Sequence, residues 1–217
     1  MFAETPIIMS QRKIDHLVYC VPNLGQGIID IENKLGVKAI IGGAHLTQGT
    51  KNALINLGED CYLEILAIDK SNIDIKPPRW MGIDLIQSAK ITRWALKTQD
   101  IIKDSKNLKK HNPDMGHVTG GSRKMTNGKT LTWEIAMPLA APEVDIVPFI
   151  TDWSKSEAHP TDTLNQKCNL LELRLNHPNP KELQNLFDQM QITLKINKSD
   201  TPSIQTLIQC PNGIVQL

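Results

Sequence analysis

Two residues placed to do chemistry are His16, in the apolar run KIDHLVYCV, and Glu64, in YLEIL. An imidazole and a carboxylate inside apolar strands are costly to bury unless something satisfies them. A shared pocket holding a polar ligand or a divalent ion would do so. That donor pair suits zinc, nickel, iron or manganese. The placement recurs: His16, Arg93 and Glu172 each lie seven residues before a helix start, at Asn23, Asp100 and Asn179. Aligned on the ends of later strands, Glu64 in YLEIL corresponds to Gln216 in IVQL and to Asp152 in FITDW.

A second group is Gly42-Gly43-Ala44-His45 followed by Gly49-Thr50-Lys51-Asn52. Two glycines permit positive φ or the close approach of a ligand. His45, Thr50 and Asn52 add hydrogen-bonding groups, and His45 could carry a proton near neutral pH. An ordinary turn leading into a strand accounts for the same residues equally well. A third group is Arg123, Trp133, Phe149, Trp153 and His159. Arg123 suits a carboxylate or phosphate. The aromatics suit either a pocket wall or plain core.

The elements that must position these residues read as a repeat. Lys13–Val21 is a strand, Asn23 caps a helix with Leu24, Ile28, Ile31 and Leu35 at helical spacing, and Gly36 ends it. Strands Val37–Ile41, Asn52–Leu57 and Cys61–Ile68 follow, giving β-α-β-β-β. A second copy runs from Ile91–Lys97 through a helix at Gln99–Lys110 to Gly116–Lys124, an Asn127-Gly128 turn, Thr130–Met137 and Val147–Trp153. A third begins at Leu170–Asn176, with Pro180 opening its helix. It continues through Ile192–Ile196 and Ile204–Cys210, and an Asn212-Gly213 turn leads into Ile214–Leu217. The expected class is α+β.

The composition narrows the partners. The 217 residues carry 24 Lys and Arg against 23 Asp and Glu, a net charge of +1, so no basic surface for nucleic acid is indicated. Lys103–Lys110 reads as the solvated face of a helix. No apolar run reaches the roughly 18 residues of a membrane span. The opening MFAETPIIMSQRK lacks the basic region of a signal peptide. The four cysteines show no C-x-x-C spacing and read as reduced thiols of a cytoplasmic protein.

The runs IDHLVYCVPNL, GGAHLTQGTKNALINLG and YLEIL, with PFITDW, an HP element and the Arg123 to Trp133 stretch, resemble the glyoxalase-like branch of the vicinal oxygen chelate superfamily. The resemblance implies paired βαβββ modules (13–68 and 91–153, within residues 1–153) curled into a cup-shaped mixed sheet. Residues 168–217 would form a third copy packed on or paired with them. It also implies a metal site shared between modules, with His16 and Glu64 as ligands. If the first copy pairs with the third, Glu172 and Gln216 join them; if consecutive copies pair, Arg93 and Asp152 stand at the matching places.

The expected function is a metal-dependent lyase, isomerase or dioxygenase acting on a small oxygenated metabolite. Glu64 and His45 would be catalytic, and Thr50, Asn52, Arg93, Arg123, Trp133 and Asp152 would bind substrate. A metal-free protein that binds or sequesters a small molecule is the alternative. Neither a nucleic acid nor a membrane is expected as partner. A homodimer covering a sheet edge stays open.

Overall fold

The computed structural model describes residues 12–125, 128–165 and 167–217, so Asn127 of the expected turn and most of the opening segment lie outside the described residues. The chain begins with β1 (Ile14–Cys20) and α1 (Leu24–Leu35). Asn23 accepts the backbone N–H of Gln26, and Gly36 closes the helix at φ +73°. Leu24, Gly27, Ile31 and Leu35 are its buried stripe. Then come β2 (Ile40–His45), β3 (Thr50–Asn56) and β4 (Tyr62–Ile68).

The second unit repeats the order: β5 (Lys90–Thr98), α2 (Ile101–His111), β6 (Val118–Lys124), β7 (Thr130–Ala136) and β8 (Phe149–Asp152). Asp100 caps α2 through the N–H of Lys103, and Lys109, Lys110 and His111 sit at its C-terminal end, where the helix dipole favours cations. The basic run Lys103–Lys110 is thus on α2, with Lys103, Lys106, Lys109 and Lys110 exposed.

These eight strands form one curled mixed sheet in the order β2-β3-β4-β1-β5-β8-β7-β6. In each half the first strand runs parallel to the last, β1 with β4 and β5 with β8. The halves meet through the antiparallel pair β1–β5, where Leu17 faces Trp94. A pseudo-two-fold through that pair exchanges His16 with Arg93 and Val18 with Ala95. Because Glu64 pairs with Val18 and Phe149 with Ala95, it also exchanges Glu64 with Phe149.

The C-terminal unit is β9 (Asn169–His177), α3 (Pro180–Gln189), β10 (Ile196–Lys198), β11 (Ser203–Cys210) and β12 (Gly213–Gln216). Its element order matches the other two, but its pairing does not. The order is β10-β9-β11-β12, with β9 parallel to the short β10 and antiparallel to β11. It forms a separate sheet. Leu173, Leu175, Ile204 and Ile208 join Leu17, Ile65, Leu96 and the helices' apolar faces in one core on the helix side of the large sheet. The opposite, concave face is lined by Val18, Cys20, Leu66, Ala95, Ile135 and Phe149.

Among the described residues no helix is long and apolar enough to cross a membrane. All four cysteines are free and buried. Burial pushes the Cys20 and Cys61 thiols up to about 12 and Cys168 to about 11. A thiol reagent at pH 8 is therefore expected to leave these three unlabelled on the minute scale in the native protein. In denaturant it should titrate all four.

Candidate functional site

The concave face carries the polar cluster. His16 projects from β1 between the stacked ring of Tyr62, at 4.5 Å, and the edge of Phe149, at 5.1 Å. Glu64 projects beside it from β4. His16 Nε2 lies 3.8 Å from Glu64 Oε2, and His45 Nε2 lies 3.8 Å from Glu64 Oε1. Asn52 Nδ2 donates to Glu64 Oε1 at 2.6 Å and lies 3.3 Å from His45 Nε2. Thr50 Oγ1 sits 3.0 Å from His45 Nδ1 and accepts from Trp80 Nε1 at 3.1 Å. One carboxylate therefore stands between two imidazoles, steadied by an amide, in a pocket that excludes most water.

Gly42 and Gly43 are strand residues, not a loop: β2 starts at Ile40 and includes them. The β2–β3 register shifts between Ile41 and Gly43, and Gly43 adopts φ +149°. At Gly42 a Cβ would meet Asn52 Oδ1 at 2.2 Å, so only glycine lets the amide reach Glu64 from that side. Asn52 Oδ1 itself is buried without a hydrogen-bond partner among the described residues.

Arg123, on edge strand β6, donates Nη1 to the Gly42 carbonyl on the opposite edge strand β2. That bond bridges the two rims of the cup and brings a cation toward His45 and Tyr62, whose proton affinities it influences. Trp133 packs against Gly121 and tilts against Trp153 with ring centres 5.9 Å apart.

Three expected site residues stand elsewhere. Glu172 is on β9 in the second sheet, half-exposed and paired with Arg174 at 2.7 Å. It stays outside the cup because its sheet pairs differently from the other two units, and so does Gln216 on β12. Asp152 ends β8 and accepts the N–H of Ser154 at 2.8 Å; the strand pairing puts Phe149 at the place equivalent to Glu64. Arg93 does occupy the two-fold mate of His16, but its guanidinium donates to the carbonyls of Thr92, Leu139, Pro142 and Glu143. Those bonds tie the guanidinium to the 139–143 loop.

The sequence reading missed two contributors. Asp15 is wholly buried, with Oδ2 2.7 Å from His16 Nδ1 and Oδ1 3.0 Å from both Trp153 Nε1 and His159 Nε2. Its place beside His16 in the sequence was the available signal. Trp80 comes from an irregular segment that carries no pattern.

Two titrations are shifted in the same sense. Burial opposes the charge of Asp15, but hydrogen bonds with His159 and His16 outweigh it and hold its pKa below the usual carboxylate value. Burial holds His45 below the usual imidazole value, partly offset by Glu64. In both cases the unfolded chain binds more protons than the folded one as pH falls. From these two groups, stability is expected to decline below about pH 6.5 through His45 and again below about pH 4 through Asp15. Urea midpoints measured from pH 8 down to pH 3 check this.

The donor set bears on the metal expected from sequence. Among the described residues no group of three or more His, Cys, Asp and Glu side chains is arranged to hold a metal ion. His16 and Glu64 supply two donors. Their two-fold mates are a guanidinium committed to backbone carbonyls and a phenyl ring. The residues present therefore do not fit a shell shared equally by the two halves.

Residues 14–190 match a family model described as a glyoxalase-like domain. Among curated proteins none matches the sequence. Among solved structures, a hypothetical protein from Staphylococcus aureus aligns with a TM-score of 0.59 at 15% identity, covering 88% of this chain and 87% of that one. A methylmalonyl-CoA epimerase of Streptomyces coelicolor aligns with a TM-score of 0.43 at 16% identity, covering 69% and 99%. The methylmalonyl-CoA epimerase of Mycobacterium tuberculosis gives 0.39 at 18% identity, covering 68% and 91%.

Proposed function

Because the chain belongs to the glyoxalase-like family of the vicinal oxygen chelate superfamily, we propose that its cup binds a small oxygenated metabolite and moves a proton on it, as a lyase or isomerase. One observation carries the reading: the Glu64 carboxylate is buried between His16 and His45, with Asn52 fixing one of its oxygens. A carboxylate so held is suited to take a proton from a carbon beside a carbonyl. His45, kept neutral by burial, has Nε2 facing the Asn52 amide and Nδ1 facing Thr50. A ligand that displaces the amide would let the hydrogen stand on Nε2 and be donated to the oxygen on which charge then develops. Arg123 at the rim can meet an anionic group such as a carboxylate, exchanging its bond to Gly42 for the ligand. Trp80 and Trp133 complete an apolar wall.

The metal-dependent reading, including the dioxygenase, rests on His16 and Glu64 alone. A divalent ion held by them would polarise substrate oxygens. With Arg93 and Phe149 at the matching places, the acid–base reading asks less of the donor set.

The test is proton exchange in deuterium oxide. The protein is incubated with small 2-oxo and 2-hydroxy acids and aldehydes, with and without chelator, and carbon-bound hydrogens are followed by NMR. Chelator-resistant exchange supports the reading, and exchange lost with the metal supports the metal-dependent one. A compound that raises Tm without exchanging marks a binding protein instead.

A further inference from the structure

The fully buried Asp15 has no role in the proton transfer above, yet it is the most heavily bonded carboxylate near the site. Its oxygens meet three ring nitrogens: His16 Nδ1 at 2.7 Å, His159 Nε2 at 3.0 Å and Trp153 Nε1 at 3.0 Å. Lys97 Nζ stands 3.7 Å away. An ionised carboxylate only accepts, so each facing ring nitrogen must carry a hydrogen. His159 is itself set: its Nδ1 lies 2.8 Å from Thr161 Oγ1 and accepts the Thr161 N–H at the start of the 3-10 turn Pro160–Thr163. That leaves His159 Nε2 to donate to Asp15. Trp153 and His159 follow β8, so a segment from the second half reaches across to β1.

We propose that Asp15 is a positioning residue that fixes His16 as the Nδ1–H tautomer and turns Nε2 toward Glu64, with His159 and Trp153 fixing Asp15 in turn. Neutral imidazole has one donor and one acceptor nitrogen. With the hydrogen held at Nδ1, the Nε2 lone pair faces the cup. Nε2 can then accept the proton that Glu64 collects, across the 3.8 Å that a bound ligand or water would span. Nδ1 keeps its hydrogen throughout, and Asp15 stays ionised and steadies the imidazolium formed. The consequence for turnover rests on the acid–base reading; the tautomer does not.

The closing experiment uses the full chain labelled with 15N-histidine, its imidazole nitrogens read by long-range 1H–15N correlation at a pH where the ring is neutral. A His16→Gln variant assigns the signal. Wild-type His16 is expected to show a pyrrole-type Nδ1 and a pyridine-type Nε2, and the reverse pattern overturns the proposal without any need of a variant. In Asp15→Asn the side-chain amide can donate to Nδ1, so the His16 pattern should invert. Exchange on the substrate found above should fall about 10²- to 10⁴-fold, in line with the general acid–base contribution. In Trp153→Phe, one N–H is lost, the His16 pattern should persist and the rate should fall by no more than about tenfold. If Asp15→Asn lowers Tm but leaves both the His16 signals and the exchange rate of the folded fraction unchanged, Asp15 is a structural tie only and the proposal fails. If no variant, wild type included, exchanges any compound, the acid–base reading fails while the tautomer assignment stands on its own signals.

Discussion

Glu64→Gln should lower proton exchange on the protein's substrate by about 10²- to 10⁴-fold while leaving Tm within a few degrees. Gln matches Glu in shape, and its Oε1 can still accept the Asn52 N–H that holds Oε1 of Glu64 at 2.6 Å. What it loses is the ability to take a proton. The neighbouring imidazoles, each 3.8 Å away, lose a charged partner that they meet at ion-pair distance, not in a close hydrogen bond. The fold should therefore tolerate the change. Binding measured by thermal shift should survive, so the loss should fall on kcat more than on KM. An unchanged rate would put the base elsewhere and remove the central residue of the acid–base reading.

Arg93→Met should destabilise the protein by about 2–6 kcal/mol, because two buried carbonyls lose a donor at about 1–3 kcal/mol each. Arg93 is 1% exposed and donates at 2.7 Å to the carbonyls of Thr92 and Pro142 and at 3.1 Å to those of Leu139 and Glu143. Met fills most of the volume but donates nothing, so the Pro142 and Glu143 carbonyls lose this donor, while those of Thr92 and Leu139 keep the N–H of Asp145 and of Met81; an unmade buried hydrogen bond costs about 1–3 kcal/mol. The 139–143 loop should loosen first, since nothing else among the described side chains gathers its carbonyls in this way. Urea unfolding at pH 7 measures the loss. Arg93→Lys should recover only part of it, because a single ammonium cannot span the carbonyls that a planar fork reaches. A loss under 1 kcal/mol would mean that the loop holds itself.

How far the sequence reveals this molecule depends on which physical rule each feature obeys. The helices were legible because Asn23 and Asp100 mark two starts by local cap hydrogen bonds, and Pro180 marks the third by its fixed φ at the first helical position. The curled sheet followed from the glyoxalase-like runs, and Glu64 beside His16 followed from polar side chains in apolar strands. The C-terminal unit was harder. Its elements come in the same order, yet β9 pairs with β10 and β11 where β1 pairs with β4 and β5. Order along the chain does not fix which edges meet, so the count that equated Glu172 with His16 had no spatial meaning.

Asp15 was hidden for a related reason. Strict alternation would send it to the face opposite His16. The β1–β5 register slips between Ile14 and His16, and at that irregularity adjacent side chains can reach each other and the segment after β8. Asp152 was misplaced because counting from a strand's end ignores where its partner begins. Pairing with Ala95 sets Phe149, not Asp152, at the place equivalent to Glu64, facing into the cup.

The pseudo-two-fold also serves as a design template. It marks the two coordinates at which a second pair of inward donors would be written, and it ranks them. Position 93 is encumbered, because the arginine there secures a loop. Position 149 carries only a phenyl ring whose edge rests on His16. Phe149→Glu would set a carboxylate at the mate of Glu64, so that with His16 and Glu64 the β1–β5 seam would present three donors, the number of protein ligands in an open catalytic zinc site, beside His45 at the rim. The asymmetry of the two halves thus tells a protein engineer which single substitution to try first.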